Sequence, residues 1–263
     1  MTVYADVLRY RELFANLFRR DFQAKYKGSA LGVLWSLLNP LVLLGVYLLV
    51  FGVIFPNNSI PRYPLYLLAG LACWIFFSVS LQSASRSMVD SAELIRKVRF
   101  PRQLVAFSMV ATQAVTFVVM LAILVALSLI FVDGRAAVWL ALPLAVLFAG
   151  FVAGLALLVA CLNVLFRDVE HVLTAALLPW FFLTPILWSP DNLAAAQRHH
   201  HLIEVLRWGN PVAPPIYAVR DAIWSGHLPG VGDVVYLAVA AAVALGLGAW
   251  VFGRVDDRIA VEL

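Results

Sequence analysis

The sequence predicts an all-α integral membrane protein. It has six transmembrane helices, an amphipathic helix ahead of the first, and two short extracytoplasmic helices before the last. Three observations carry this expectation. The 263 residues are 63% hydrophobic and only 13% charged, with a mean hydropathy of +0.91; a soluble domain of this size needs more charge to cover its surface. The apolar residues fall in six long runs, at 36–55, 63–83, 104–132, 136–166, 172–188 and 234–252, none of which contains Asp, Glu, Lys or Arg. About 20 such residues cross the hydrocarbon core of a bilayer as a helix. Finally, Lys and Arg are unequally shared between alternate connections. With both termini cytoplasmic, fourteen lie inside and five outside, which is the positive-inside bias.

The first thirty residues form a segment of their own, and 31–263 read as one membrane domain. Val7, Tyr10, Leu13, Phe14, Leu17, Phe18 and Phe22 recur at helical spacing, while Arg9, Arg20 and Lys27 fall largely elsewhere. Such an aromatic and basic helix suits the cytoplasmic headgroup layer; packing on a soluble partner is compatible with it. Gly28 is a natural stop. Six basic residues and no apolar core in the first 35 positions leave no cleavable signal to expect.

After the second run, Asp90 or Ser91 can cap a short helix bearing Glu93, Leu94, Arg96 and Lys97, and Pro101 ends or bends it. This charged helix is either a docking knob for a soluble partner or a solvated loop, and spacing alone does not separate the two. The Asp133-Gly134 pair reads as a turn between the third and fourth runs. The stretch 190–230 is too long for a tight turn and too polar for a span. Pro214 and Pro215 can start a helix there; Ile216, Val219 and Ile223 share a face, and Gly226 can close it. Two short helices at the outer interface are expected, with Trp208, Tyr217 and Trp224 at headgroup depth and the Arg220–Asp221 pair facing water.

Several chemistries are missing. There is no GxxxxGK[ST], so no phosphate-binding loop; the GSALG at Gly28–Gly32 lacks its lysine and serine. No HExxH, GxSxG or nucleophile–base–acid spacing is present. Cys73 and Cys161 lie in apolar runs as packing residues. The consecutive His199, His200 and His201 cannot converge on one ion and read as a loop tip. The cluster Arg167, Asp168, Glu170 and His171 reads as a cytoplasmic turn with helix-end charges rather than as a catalytic pair. The spans carry no ionisable residue to couple an ion gradient. They do carry large rings, among them Tyr47, Phe51, Trp74, Phe77, Trp180 and Phe181. Rings of this kind either pack helices or stack on sugars, and packing is the commoner fate. The net charge of +4 is explained by headgroups, with no nucleic acid implied.

Three segments carry a family resemblance. DFQAKYKGSALGVLWSLLNPL at Asp21–Leu41, NVLFRDVEHVL at Asn163–Leu173 and NPVAPPIYAVRDAIWSG at Asn210–Gly226 resemble, in order and spacing, the polysaccharide-export permeases of the ABC-2 family, which include O-antigen, teichoic acid and mycobacterial galactan exporters. The resemblance implies a homodimer in the bacterial inner membrane, served by two copies of a separate ATPase. ATP and Mg would bind that partner, and no cofactor belongs to this chain. It implies that Asp90, Glu93, Leu94, Arg96 and Lys97 lie on a coupling helix, and that a lipid-linked polysaccharide enters near Leu31 and Gly32. Tyr47, Phe51, Trp74, Phe77, Trp180 and Phe181 would line its path. Asn210, Pro211, Tyr217, Arg220 and Asp221 would belong to an outer gate. The alternatives are an exporter of a small drug or lipid on the same fold, and a membrane enzyme or scaffold acting on lipid-linked sugars.

Overall fold

A computed structural model describes residues 3–27, 34–50, 60–98, 100–132, 137–190 and 200–262. Among these residues there are helices and no strands, as expected of a backbone that must satisfy its own hydrogen bonds in lipid. In chain order the helices are α1 (Ala5–Arg9), α2 (Arg11–Tyr26), α3 (Leu34–Leu48), α4 (Tyr63–Asp90), α5 (Ala92–Lys97), α6 (Gln103–Phe131), α7 (Ala141–Leu165), α8 (Val169–Leu183), α9 (His200–Trp208), α10 (Ala213–Trp224) and α11 (Val231–Glu262). A 3₁₀ turn, Val138–Leu140, leads into α7.

Among the described residues, four helices are long and apolar enough to cross a membrane: Tyr63–Asp90, Gln103–Phe131, Val138–Leu165 and Val231–Asp256. They correspond to the second, third, fourth and sixth apolar runs. The first and fifth runs appear as α3 and α8, each of 15 residues with a proline inside, Pro40 and Pro179. At 1.5 Å per residue α8 covers about 22 Å, less than a hydrocarbon core of about 30 Å.

The central helix is α4, packed by α6, α7, α10, α3 and α8. It starts from Arg62, held in the left-handed region at φ 51°, with proline in its first turn. Arg62 donates to the carbonyl of Phe131 at 3.1 Å, fastening the start of α4 to the end of α6. Alongside, α7 and α11 approach to backbone contact. A Cβ on Gly154 would sit 2.4 Å from the Ala244 carbonyl carbon, and one on Gly248 would sit 2.6 Å from the Gly154 oxygen. Small residues at such a crossing let dispersion between backbones hold two helices that lipid would otherwise separate.

Both ends of the described chain meet at one end of the bundle, the terminal face. There Val3, Tyr4 and Val7 pack with Met88, Ile95, Phe107, Leu157, Phe252 and Ile259. Burial pushes the Tyr4 phenol up to about 12, so it stays a donor, bonded to the Leu245 carbonyl at 2.5 Å. Arg102 at the start of α6 pairs with Asp256 near the end of α11 at 2.6 Å.

The N-terminal stretch differs from the single flat helix expected. It breaks at Tyr10, and α2 then follows α6 for several turns instead of crossing it once. Leu17 packs on Leu104 and Val105, Asp21 accepts from Ser108 Oγ at 2.6 Å, Lys25 donates to Gln113 at 2.6 Å, and the Tyr26 and Thr116 hydroxyls lie 3.3 Å apart. The reason is a polar row on α6 (Ser108, Thr112, Gln113 and Thr116) that spacing puts on one face and that needs partners when buried.

Candidate functional site

Three places gather the residues that the sequence singled out. The first is α5. Ser91 stands at its N-cap position, although its hydroxyl makes no capping bond and accepts instead from Arg20 at 3.4 Å. Ile95 is buried and Leu94 packs toward Leu17 and Leu104. Glu93, Arg96 and Lys97 point the other way and are exposed, as is Asp90 at the end of α4. Lys97 and Glu93 pair at 3.1 Å, one helical turn apart. One apolar side anchors the helix, and the charged side is free for a partner.

The second place is a groove of about 350 Å³ between α3, α4 and α8. Tyr47, Trp74 and Phe181 line it, with the neutral polar groups of Ser78, Gln82 and Thr174. Among the described residues no acid or base is on its wall. Five of the six predicted rings form one connected cluster here. The Trp74 ring centre lies 5.6 Å from Phe181, 5.4 Å from Phe77 and 6.4 Å from Trp180, and Tyr47 stacks on Phe181 at 6.0 Å. Phe77 is fully buried behind the groove, against Phe151 and Trp180. Phe51, like Leu31, Gly32 and Gly28, lies outside the described residues.

The third place is the end of the bundle opposite the terminal face. Two short helices are present as expected, and Gly226 closes the second with φ 77°. Their position corrects the expectation. The helix α10 is buried along nearly its whole length among α4, α6, α7 and α11. Tyr217 is buried among its neighbours, and Arg220 is 1% exposed and does not face water. The cause is local: the stretch from Ala213 to Ile223 is apolar on every side but for Tyr217, Arg220 and Asp221, and such a helix is buried all round. The Arg220 guanidinium lies between two rings, 4.0 Å from Tyr66 and 4.2 Å from Tyr217, and donates to the Pro185 carbonyl at 2.8 Å. Its Nε stands 3.6 Å from Asp221. Burial pushes the Asp221 carboxyl above its ordinary range, against the pull of Arg220.

Around this cation, the segment after α8 is clamped. Tyr63 donates to Leu187 at 3.0 Å and Tyr66 to Trp188 at 2.8 Å. Asn210 donates to Thr184 Oγ1 at 2.9 Å and accepts from the Trp180 indole at 2.9 Å. Beside Pro211, the Asn210 side chain also accepts from the Val212 amide at 3.1 Å. Nearby, Arg207 pairs with Asp233 at 3.1 Å. Sequence reasoning missed Tyr66, Thr184, Arg207 and Asp233, which no spacing linked.

The turn at 167–171 carries helix-end charges, as expected. Glu170 pairs with Arg86 at 3.2 Å, and its amide donates to Asn163 at 3.0 Å. Among the described residues no group of His, Cys, Asp and Glu could hold a metal.

An all-helical bundle with four membrane-length apolar helices among the described residues, a ring-lined groove and a charged, exposed short helix has the build of a membrane transport protein. The chain belongs to the ABC-2 type transporter family, whose pattern matches residues 12–224. It is 31% identical over 261 residues, 98% of each chain, to the O-antigen export system permease protein RfbA of Myxococcus xanthus. Two permeases of that name from Klebsiella pneumoniae are each 28% identical over 219 residues, 82% of each chain.

Proposed function

We propose that this protein is the transmembrane permease subunit of an ATP-driven exporter that moves a lipid-linked polysaccharide across the bacterial cell membrane. The observation that carries this reading is the groove between α3, α4 and α8. Rings offer flat apolar faces to sugar C–H groups, and hydroxyls and amides bond sugar hydroxyls without the desolvation that a charge would impose. A groove open on one side needs a second wall, and a homodimer with paired grooves supplies one. The first and fifth runs, through α3 and α8, complete six spans in this reading, and the terminal face is cytoplasmic. The force comes from a separate ATPase, two copies of which take ATP and Mg and dock on the charged side of α5. The printed names of the relatives support a polysaccharide over a small drug or lipid.

The test is reconstitution of the permease with its ATPase in vesicles. Lipid-linked glycan should reach the protected side only with ATP, and ATP turnover should respond to that lipid. No movement together with indifferent turnover sinks the proposal. Movement of a small amphiphile in place of the glycan would favour the small-substrate exporter.

A further inference from the structure

The groove does not use a second cavity, of about 160 Å³, bounded by α2, α4 and α6. Its walls are apolar, with Phe76, Phe117 and Met120 among them, and its polar side is Lys25, Gln113 and Thr116. The Lys25 ammonium is bonded to Gln113 Oε1 at 2.6 Å. That amide is itself fixed, since its nitrogen donates to Ser83 at 3.2 Å. Among the described residues Lys25 pairs with no carboxylate. The acid one turn away, Asp21, is occupied by Arg20 at 2.8 Å and by Ser108 at 2.6 Å. Lys25 therefore presents a positive charge with spare donors at the side of an apolar hollow.

Its depth follows from α6. That helix has 29 residues, about 43 Å at 1.5 Å each, whereas about 20 residues span the hydrocarbon. The excess lies at the polar end, because beyond Thr116 only Ser128 interrupts the apolar side chains as far as Phe131. Counting about 20 residues back from Phe131 puts Gln113 at the boundary between hydrocarbon and headgroups. Lys25 then lies at the level of lipid phosphates. Arg19 and Arg20 share its helix, and Lys27 follows its end.

We infer that this cavity is a binding site for an anionic glycerophospholipid of the surrounding leaflet. Its phosphate accepts from Lys25, with Thr116 in reach of the headgroup, and part of one acyl chain lies against Phe76, Phe117 and Met120. The bilayer's own phospholipid is the occupant because it is the phosphate held at this depth at by far the highest concentration, and occupancy follows concentration over affinity. The site is separate from the export groove, and the inference does not rest on the export reading.

The test is native mass spectrometry of the full-length protein, delipidated and then titrated with phosphatidylglycerol, phosphatidylcholine or undecaprenyl phosphate. One phosphatidylglycerol should bind per chain in preference to phosphatidylcholine. Lys25→Gln should weaken that binding about five-fold, the usual worth of one cation at a lipid surface. Lys25→Arg should preserve it. Lys27→Gln, which removes the same charge outside the cavity, should leave it unchanged. Met120→Trp should abolish it by filling the hollow, with the helical circular dichroism retained. Equal binding of phosphatidylcholine, or equal losses from Lys25→Gln and Lys27→Gln, would overturn the site in favour of diffuse surface charge. Undecaprenyl phosphate that displaces phosphatidylglycerol at equal concentration would overturn the choice of ligand.

Discussion

The two ends of this bundle solve one problem, holding charged side chains against helices, in opposite ways. At the terminal face the charges are partly hydrated and work in short relays. Ser108 bonds Asp21, Asp21 bonds Arg20, and Arg20 reaches Ser91 at the start of α5. At the other end Arg220 is buried and is held by two ring faces and a carbonyl. At Arg20, whose side chain is 44% exposed, such a relay can be remade at small cost, because water replaces a lost partner there. A desolvated cation cannot lose a partner without leaving a charge in a low-dielectric interior. The terminal face can thus exchange partners at its exposed groups, and the opposite end is built as a clamp.

Substitutions can break or sharpen this contrast. The largest effect is expected from Arg220→Ala, which leaves the Pro185 carbonyl only the longer bond from Tyr66 at 3.4 Å and opens a void between Tyr66 and Tyr217. The loss should be about 3 kcal/mol or more, read as a lowered midpoint of thermal unfolding in detergent. Arg220→Lys keeps the charge but not the planar group that lies between the rings, and should fall between the wild type and alanine. A wild-type midpoint for Arg220→Ala would remove the clamp from the contrast. An intermediate effect is expected of Asp21→Ala, about 1–2 kcal/mol from a buried acceptor lost to Ser108 and Arg20, measured in the same way. Asp21→Asn keeps one acceptor and should recover part of it. The smallest effect on stability is expected of Lys97→Ala, under about 0.5 kcal/mol for an exposed pair one turn apart. The pair Glu93→Ala with Arg96→Ala should be equally mild on folding. It should, however, uncouple ATP turnover from transport in reconstituted vesicles, and normal transport would remove α5 from the docking role.

These substitutions also mark what the sequence could tell. Runs without charge announced the four long helices, because an unpaired charge in lipid is costly. Pro214, Pro215 and Gly226 announced α10, because each constrains the backbone locally. The placement of α10 was not legible. Arg220 and Asp221, adjacent in sequence, look like a hydrated pair, and only Tyr66, from a helix some 150 residues earlier, turns the arginine into a buried pin. Asp21 was hidden for a similar reason. It is the one acid among Arg19, Arg20, Lys25 and Lys27, and its partner Ser108 lies 87 residues away. The row Ser108, Thr112, Gln113 and Thr116 was a signal within reach, since its helical spacing in an apolar run asks for a polar neighbour. The ring cluster was named from residue type alone, and only the fold could show that five of the rings touch.

The glycine crossing of α7 and α11 has a mechanical consequence. Where two backbones touch with no side chains between them, there are no rotamers to readjust, so the pair can stay together or separate but cannot slide by small steps. It behaves as a fixed post. Any widening of the groove has to be taken up on its far side, by α3 and α8. Each of these carries a proline that omits one hydrogen bond of its ladder and lowers the cost of bending there. Stiffness and compliance are thus allotted to different helices by the smallest side chain and by the one that closes on its own backbone.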